Sequence, residues 1–284
     1  MPVDTVAEQI RRRLGELSPA ETKVARVLLA NYPAAGFETL AVLATQAKVS
    51  APTVLRLVTR LGYSGFPAFQ AVLRDELGAR DASPLTLHPA AGEPADPNGV
   101  LDHAGGQFGR AIQRTFAETS ERDLDRTIAL LSDPRKRISL AGGRFSGLFA
   151  QYLALHLMQL RDAVDLLPEH PVHRASAAAS FGPKDVLVLF DYRRYEPPTE
   201  RLAELAAERK ATIVLFTDPW LSPVSHHAAV VLAQQVTAPS AYDSFVPTIA
   251  SIEALVALLL NAHGETSHAK LAEREEIVSR LGLH

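Results

Sequence analysis

Residues 39–61, TLAVLATQAKVSAPTVLRLVTRL, decide how the N-terminal part of this 284-residue chain folds. Thr39 suits the cap of a helix whose apolar positions Leu40, Leu43, Ala44 and Ala47 recur at the i, i+3, i+4, i+7 spacing of one buried stripe. A turn through Lys48 and Val49 leads to Ser50, a second cap. Pro52 then falls in the first turn of the next helix, where its missing N–H is harmless. That second helix has its own inward stripe of Val54, Leu57, Val58 and Leu61, with Thr53, Arg56 and Arg60 expected together on the other side. Two short helices, a tight turn and a polar tip on the second describe a helix-turn-helix whose second helix can enter a major groove.

Charge along this half of the chain suits either a solvated basic face or a polyanion as partner. Residues 1–80 carry ten Lys/Arg against seven Asp/Glu, whereas the rest of the chain is acidic and the net charge is −3. Within the basic end, Thr39–Arg74 holds Lys48, Arg56, Arg60 and Arg74 and no carboxylate. The chain has no cysteine, which excludes disulfides, thiolate metal sites and a cysteine nucleophile. Its first residues lack the unbroken apolar run of a signal peptide, and the longest apolar run, Ala254–Leu260, is too short to span a bilayer. A cytoplasmic protein with no membrane contact is the expectation.

The stretch Gly78–Gly99, with four prolines and no helical or strand period, reads as an interdomain linker. It divides a helical domain over 1–77 from a second domain over 100–284. In the second, Val100–Thr119 and Asp123–Leu131 read as helices, and helical segments then alternate with the β-branched runs Val186–Phe190, Thr212–Phe216 and Val230–Ala233. Such alternation predicts an α/β domain with a parallel sheet flanked by helices. The segment KRISLAGGRFSGLFAQYLALHLMQL runs strand, glycine turn, helix, placing Ser146 where an anion would meet a helix N-terminus.

The segments LSPAETKVARVLLANYP and FETLAVLATQAKVSAPTVLRLVTRLGYSGFPAFQAVL resemble the N-terminal domain of the RpiR/MurR family of transcription regulators. The marks of the likeness are Leu17-Ser18-Pro19, Val49-Ser50 and Leu61-Gly62-Tyr63-Ser64-Gly65-Phe66. The family commonly has Arg-Phe in the second helix, where this chain has Arg56-Leu57. In the second half, KDVLVLF, ATIVLFTD and LSPVSHHAAVVLA make about 134–262 resemble the SIS (sugar isomerase) domain that follows the helix-turn-helix in that family.

The resemblance implies a regulator that binds double-stranded operator DNA, and side-chain chemistry assigns roles within it. Arg56 has a planar fork that can pair with guanine O6 and N7, while Thr53 can touch a thymine methyl or a phosphate. Arg60, one turn further on, suits phosphate. Ser50 is either a phosphate clamp with the helix N-terminus or simply a cap, and Lys48 either meets phosphate or is solvated. One motif reads only a few base pairs, which implies a homodimer or homotetramer.

For the SIS domain the resemblance implies a phosphate held by a Gly-x-Gly-x-Ser turn after the first strand and a Ser-x-Ser-Gly-x-Thr loop after a later one. Gly142 and Ser146 match the first turn, but Arg144 takes the second glycine position, and the second loop reads Asp191-Tyr192-Arg193-Arg194-Tyr195-Glu196. Two readings stay open. Arg144, Arg193 and Arg194 replace the hydroxyl donors and hold a small anionic metabolite, a sugar phosphate or a sugar acid. Alternatively Arg193 pairs with Asp191 or Glu196 and the domain only dimerises. Tyr192 and Tyr195 either pack or stack on a ligand, and Ser240, Tyr242, Asp243 and Ser244 fall near the cleft's far side. An isomerase would need a proton-transfer base, for which Glu196, His226, His227 and Glu253 are the candidates, none of them within a motif. No spacing suggests a metal or a cofactor.

Overall fold

The computed structural model describes residues 4–81, 97–263 and 265–283. The N-terminal half is helical: α1 (Val6–Arg13), α2 (Pro19–Ala30), α3 (Leu40–Gln46), α4 (Ala51–Arg60) and α5 (Phe66–Asp81). Two of these starts are written locally, because Thr5 with Glu8 and Ser18 with Glu21 each form a reciprocal capping box. Thr39 caps α3 by accepting the Val42 N–H. The expected stripes of α3 and α4 do turn inward, with Leu43, Val54, Leu57 and Val58 buried against Ile10, Val24, Leu28 and Phe69. Phe69 sits between Tyr63, edge-on at 5.5 Å, and Phe66, stacked at 5.7 Å.

Helices α6 (Pro97–Glu118) and α7 (Glu121–Ser132) precede a five-stranded parallel sheet. Its strands are β1 (Arg137–Gly142), β2 (Val164–Leu166), β3 (Asp185–Phe190), β4 (Thr212–Thr217) and β5 (Val230–Ala233), in the order β2-β1-β3-β4-β5. Helices α8 (Gly147–Leu160), α9 (Pro171–Ala179) and α10 (Pro197–Glu208) make the crossovers, and α11 (Val246–His263) and α12 (Glu265–Leu281) close the chain. Strand β3 is buried throughout. Its Val186, Val188 and Phe190 face a core shared with α8 and α11, while Leu187 and Leu189 face Leu202, Ala203 and Ala206 of α10. Burial on both faces is what a continuous apolar run in a parallel sheet encodes.

Two departures from the sequence reading have local causes. Helix α5 continues through Gly78 to Asp81 and α6 begins at Pro97, so both ends of the expected linker are helical. One glycine costs a helix about 1 kcal/mol and does not end it. The rest of that stretch, 82–96, lies outside the described residues. Strand β2 and helix α9 went unforeseen, since a three-residue edge strand carries too little pattern to read.

The helical half is docked on the sheet. Leu221, in the turn after β4, is buried in the helical core, with Val231 and Ala233 of edge strand β5 packed beside it. Arg114 of α6 adds ion pairs to Asp4 at 2.5 Å and to Glu8 at 3.0 Å. Among the described residues no helix is long and apolar enough to cross a membrane.

Candidate functional site

The solvent face of α4 consists of Pro52, Leu55, Arg56, Thr59 and Arg60. Thr53 is not on it: at 4% exposure it is buried, which corrects the expected placement beside Arg56 and Arg60. It lies one turn before Leu57 and shares the inward stripe. Its hydroxyl oxygen stands 3.0 Å from the Ser50 hydroxyl and accepts from Arg56 Nη2 at 3.0 Å. Ser50, Thr53 and Arg56 thus form one ladder up the start of the helix. Ser50 occupies the cap position in extended backbone, but its side chain serves Thr53 and makes no capping bond to a backbone N–H. Lys48 is exposed in the turn at φ 53, a left-handed conformation that favours glycine or asparagine.

Arg60 is tied from beneath. Its Nε donates to Glu21 Oε1 at 3.1 Å, and its carbonyl accepts from Arg13. Sequence reasoning missed Leu55 and Thr59 as surface groups. The signal available was their i, i+4 spacing off the 54/57/58/61 stripe.

At the carboxyl ends of the strands lies a cleft of about 340 Å³, lined by residues 143–146, 191–194 and 196, with Tyr242, Asp243 and Phe245. Gly142 is required, because a Cβ there would stand 2.6 Å from the Gly147 nitrogen and the Ser146 carbonyl carbon. The Ser146 hydroxyl faces inward, donating to the Phe190 carbonyl at 2.6 Å and accepting the Gly143 N–H at 2.8 Å. It staples the glycine turn to the end of β3, so its one proton is committed within the protein.

Glu196 reaches the same turn from the start of α10. Its Oε1 accepts the Arg144 N–H at 3.1 Å and lies 3.6 Å from the Arg144 Nε. A Cβ on Gly143 would meet that carboxylate at 2.8 Å, so a larger residue there would have to push the Glu196 side chain aside. An internal carboxylate therefore sits against the turn where the resemblance implied a phosphate.

Arg193 pairs with neither Asp191 nor Glu196. Its Nε donates to Asp243 Oδ2 at 2.7 Å, its Nη2 lies 2.5 Å from Oδ1, and both side chains are 8% exposed. Asp191 is buried and instead accepts from the Ser222 hydroxyl; burial pushes its carboxyl up to about 7, with Asp218 and Glu196 adding repulsion. Burial likewise raises Asp218 to about 6, although it accepts from the Tyr195 hydroxyl at 2.7 Å, the Trp220 N–H at 3.0 Å and the Arg193 N–H. Arg144 and Arg194 stand exposed, the latter at φ 67.

Tyr192 is a packing residue, with its hydroxyl 2.7 Å from Thr248 Oγ1 and its ring edge-on to Phe245 at 5.1 Å. Ser240 and Ser244 accept the Tyr242 and Val246 N–H groups in local turns. His226, His227 and Glu253 do not line the cleft; Glu253 accepts from the Tyr152 hydroxyl. Among the described residues no three acidic or histidine side chains converge as a metal site.

The model of the helix-turn-helix domain of the rpiR family matches residues 4–80, and that of the SIS domain matches 130–258. The chain is 28% identical over 262 residues to the HTH-type transcriptional regulator HexR of Pseudomonas aeruginosa, covering 91% of this chain and 88% of that protein. Among solved structures it is similar to the sugar isomerase domain of an RpiR transcription factor from Sphaerobacter thermophilus. That likeness has TM-score 0.58 and 22% identity and covers 62% of this chain and 98% of that one. The Vibrio vulnificus NanR protein, solved in complex with ManNAc-6P, aligns with TM-score 0.55 and 20% identity over 96% of this chain and 98% of that one. With a helix-turn-helix of the rpiR type followed by a SIS domain, this chain belongs to the RpiR family of transcriptional regulators.

Proposed function

We propose that the protein is a cytoplasmic regulator that binds operator DNA through α4 as a homodimer or homotetramer and controls genes of carbohydrate or related metabolite catabolism. A small anionic effector, a sugar phosphate or sugar acid, binds the SIS cleft and sets the DNA affinity. The observation that carries this reading is the presence in one chain of a solvent-facing basic helix and a cleft lined by Arg144, Arg193 and Arg194. Arg144 and Arg194 are the exposed cations available to an incoming anion, while Gly142 and Ser146 shape the turn beneath it. Asp191 and Glu196 supply the internal negative charge with which such an anion competes.

A second reading, in which the SIS domain only joins subunits, is favoured by the Glu196 carboxylate on the glycine turn and by the inward Ser146 hydroxyl. An isomerase is disfavoured, because Glu196 alone of the proton-transfer candidates lines the cleft. A thermal-shift screen of phosphorylated sugars and sugar acids separates the readings. A ligand that binds only the folded state stabilises it by RT ln(1 + [L]/Kd), so at least one compound is expected to raise Tm and Arg194→Ala to reduce that rise. A blank screen supports the subunit-joining reading.

A further inference from the structure

The loop after β3 has two faces. One lines the cleft; the other carries the last described turn of α5, a helix of the DNA-binding half. Arg193 spans both, because its Nη1 donates to the Ala79 carbonyl at 3.1 Å while its Nε and Nη2 hold Asp243. The Ala79 carbonyl belongs to the last described turn of α5, so this hydrogen bond joins that turn to the loop after β3. A guanidinium there holds the turn from another domain.

A second contact lies beside the first. The Arg80 guanidinium sits 4.6 Å over the Tyr195 ring, and the Tyr195 hydroxyl is anchored on buried Asp218. Arg193 itself lies 5.3 Å over the Trp220 ring, next to the Leu221 that packs into the helical core. At its other end α5 contributes Phe69 and Leu73 to that same core, against α4. A packed helix thus runs from the cleft loop to the recognition helix.

We propose that Arg193 is the positioning residue through which cleft occupancy reaches the DNA-binding half. This rests on the regulator reading above. Arg193 is shared between Asp243 and Ala79 and clamps the last described turn of α5. An anion in the cleft meets the Asp243 carboxylate as a like charge and competes with it for the same planar fork. Drawing the guanidinium toward the ligand removes its hydrogen bond to Ala79 and loosens α5 on the loop. Sub-ångström changes at a packed interface become rearrangements of whole helices in this manner.

The test is hydrogen–deuterium exchange of the full chain, read on peptides covering 75–81 and, as an internal control, 51–60. Arg193→Ala is expected to speed exchange at 75–81 by roughly tenfold, the scale of one lost charge-assisted hydrogen bond, and to leave 51–60 unchanged. Because Arg193→Ala strands a buried carboxylate, the double variant Arg193→Gln/Asp243→Asn is measured beside it and is expected to show the same local acceleration. Inorganic phosphate, against chloride at equal ionic strength, is expected to speed exchange at 75–81 in the wild type and to do nothing further in either variant. Equal exchange at 75–81 in wild type and both variants overturns the proposal. So does a phosphate response that survives the loss of Arg193. None of these readings uses DNA, so a chain that binds no duplex would sink the regulator reading and leave the Arg193 clamp standing.

Discussion

Arg60, on the solvent face of α4, donates its Nε to Glu21 Oε1 at 3.1 Å, and that carboxylate is buried in the capping box of α2. The residue expected to meet phosphate is therefore also a strut between α2 and the recognition helix. Arg60→Ala is expected to lower unfolding stability by about 1 kcal/mol, the scale of a hydrogen bond to a charged partner with one exposed member. It should also weaken binding to all duplex sequences nearly equally. Chemical denaturation and fluorescence anisotropy on a set of point-mutated duplexes measure the two effects separately. Unchanged stability would show the pair to be incidental.

Arg56 and Thr53 should separate in a different way. Arg56→Ala is expected to relax discrimination at one operator position by about 1–3 kcal/mol, because a planar fork on one base pair carries sequence information. Thr53→Val keeps the buried volume but removes the oxygen that accepts from Arg56 and meets Ser50. Its effect should fall on the same operator position, at a fraction of the size. Uniform weakening across the duplex set in Arg56→Ala would rule out base reading by that side chain.

Lys48 offers a case in which stability and affinity move in opposite directions. Its backbone is left-handed, at a strain of about 1–2 kcal/mol for a side-chain-bearing residue. Lys48→Gly is expected to raise stability while lowering DNA affinity through the lost charge, with the salt slope of log K falling by about one phosphate contact. An unaltered salt slope would make Lys48 a solvated turn residue.

Glu76 makes stability depend on pH. Its buried carboxyl accepts the Val6 N–H at 2.7 Å and the Tyr32 hydroxyl, and burial raises it to about 7 from an ordinary 4.5. A carboxyl raised in the folded state favours the protonated form, so its contribution is intact below about pH 4.5 and is lost as pH rises through 7. At about 1.4 kcal/mol per unit the loss is of order 3 kcal/mol. Glu76→Gln is expected to flatten the decline in stability between pH 5 and 8 relative to the wild type. Asp191 and Asp218, raised for the same reason, add a slope of the same sign that the variant retains. Parallel curves for wild type and variant would contradict this assignment.

What the sequence carries and what it hides divide along physical lines. The α3 and α4 stripes were legible because a helix repeats its buried face every 3.6 residues, and β3 because a run buried on both sides has no polar interruption. Thr53 was misplaced because a small polar residue at the edge of a stripe is compatible with either face, and its hydrogen bonds to Ser50 and Arg56 decide the matter. Of the three guanidinium groups of the cleft, Arg193 is paired in the interior, Arg144 lies 3.6 Å from Glu196 and Arg194 stands exposed. The partner of Arg193, however, is Asp243, 50 residues along the chain, rather than the near neighbours Asp191 and Glu196. Nothing local marks a pair joined only by the convergence of loops at one sheet edge. The contact between Arg193 and Ala79 is more distant still, and only the docking of α5 reveals it.

The most direct test of the account is operator affinity as a function of the cleft's contents. Full-length protein is titrated by fluorescence anisotropy onto a duplex enriched from genomic fragments, at fixed ionic strength, with each of a panel of sugar phosphates and sugar acids. The account predicts sequence-selective binding whose log K falls linearly with log salt, and at least one anion that shifts Kd tenfold or more. Arg194→Ala should blunt that shift without changing affinity in its absence. Selective binding that no anion moves would contradict the effector claim, and no selective binding at all would contradict the account as a whole.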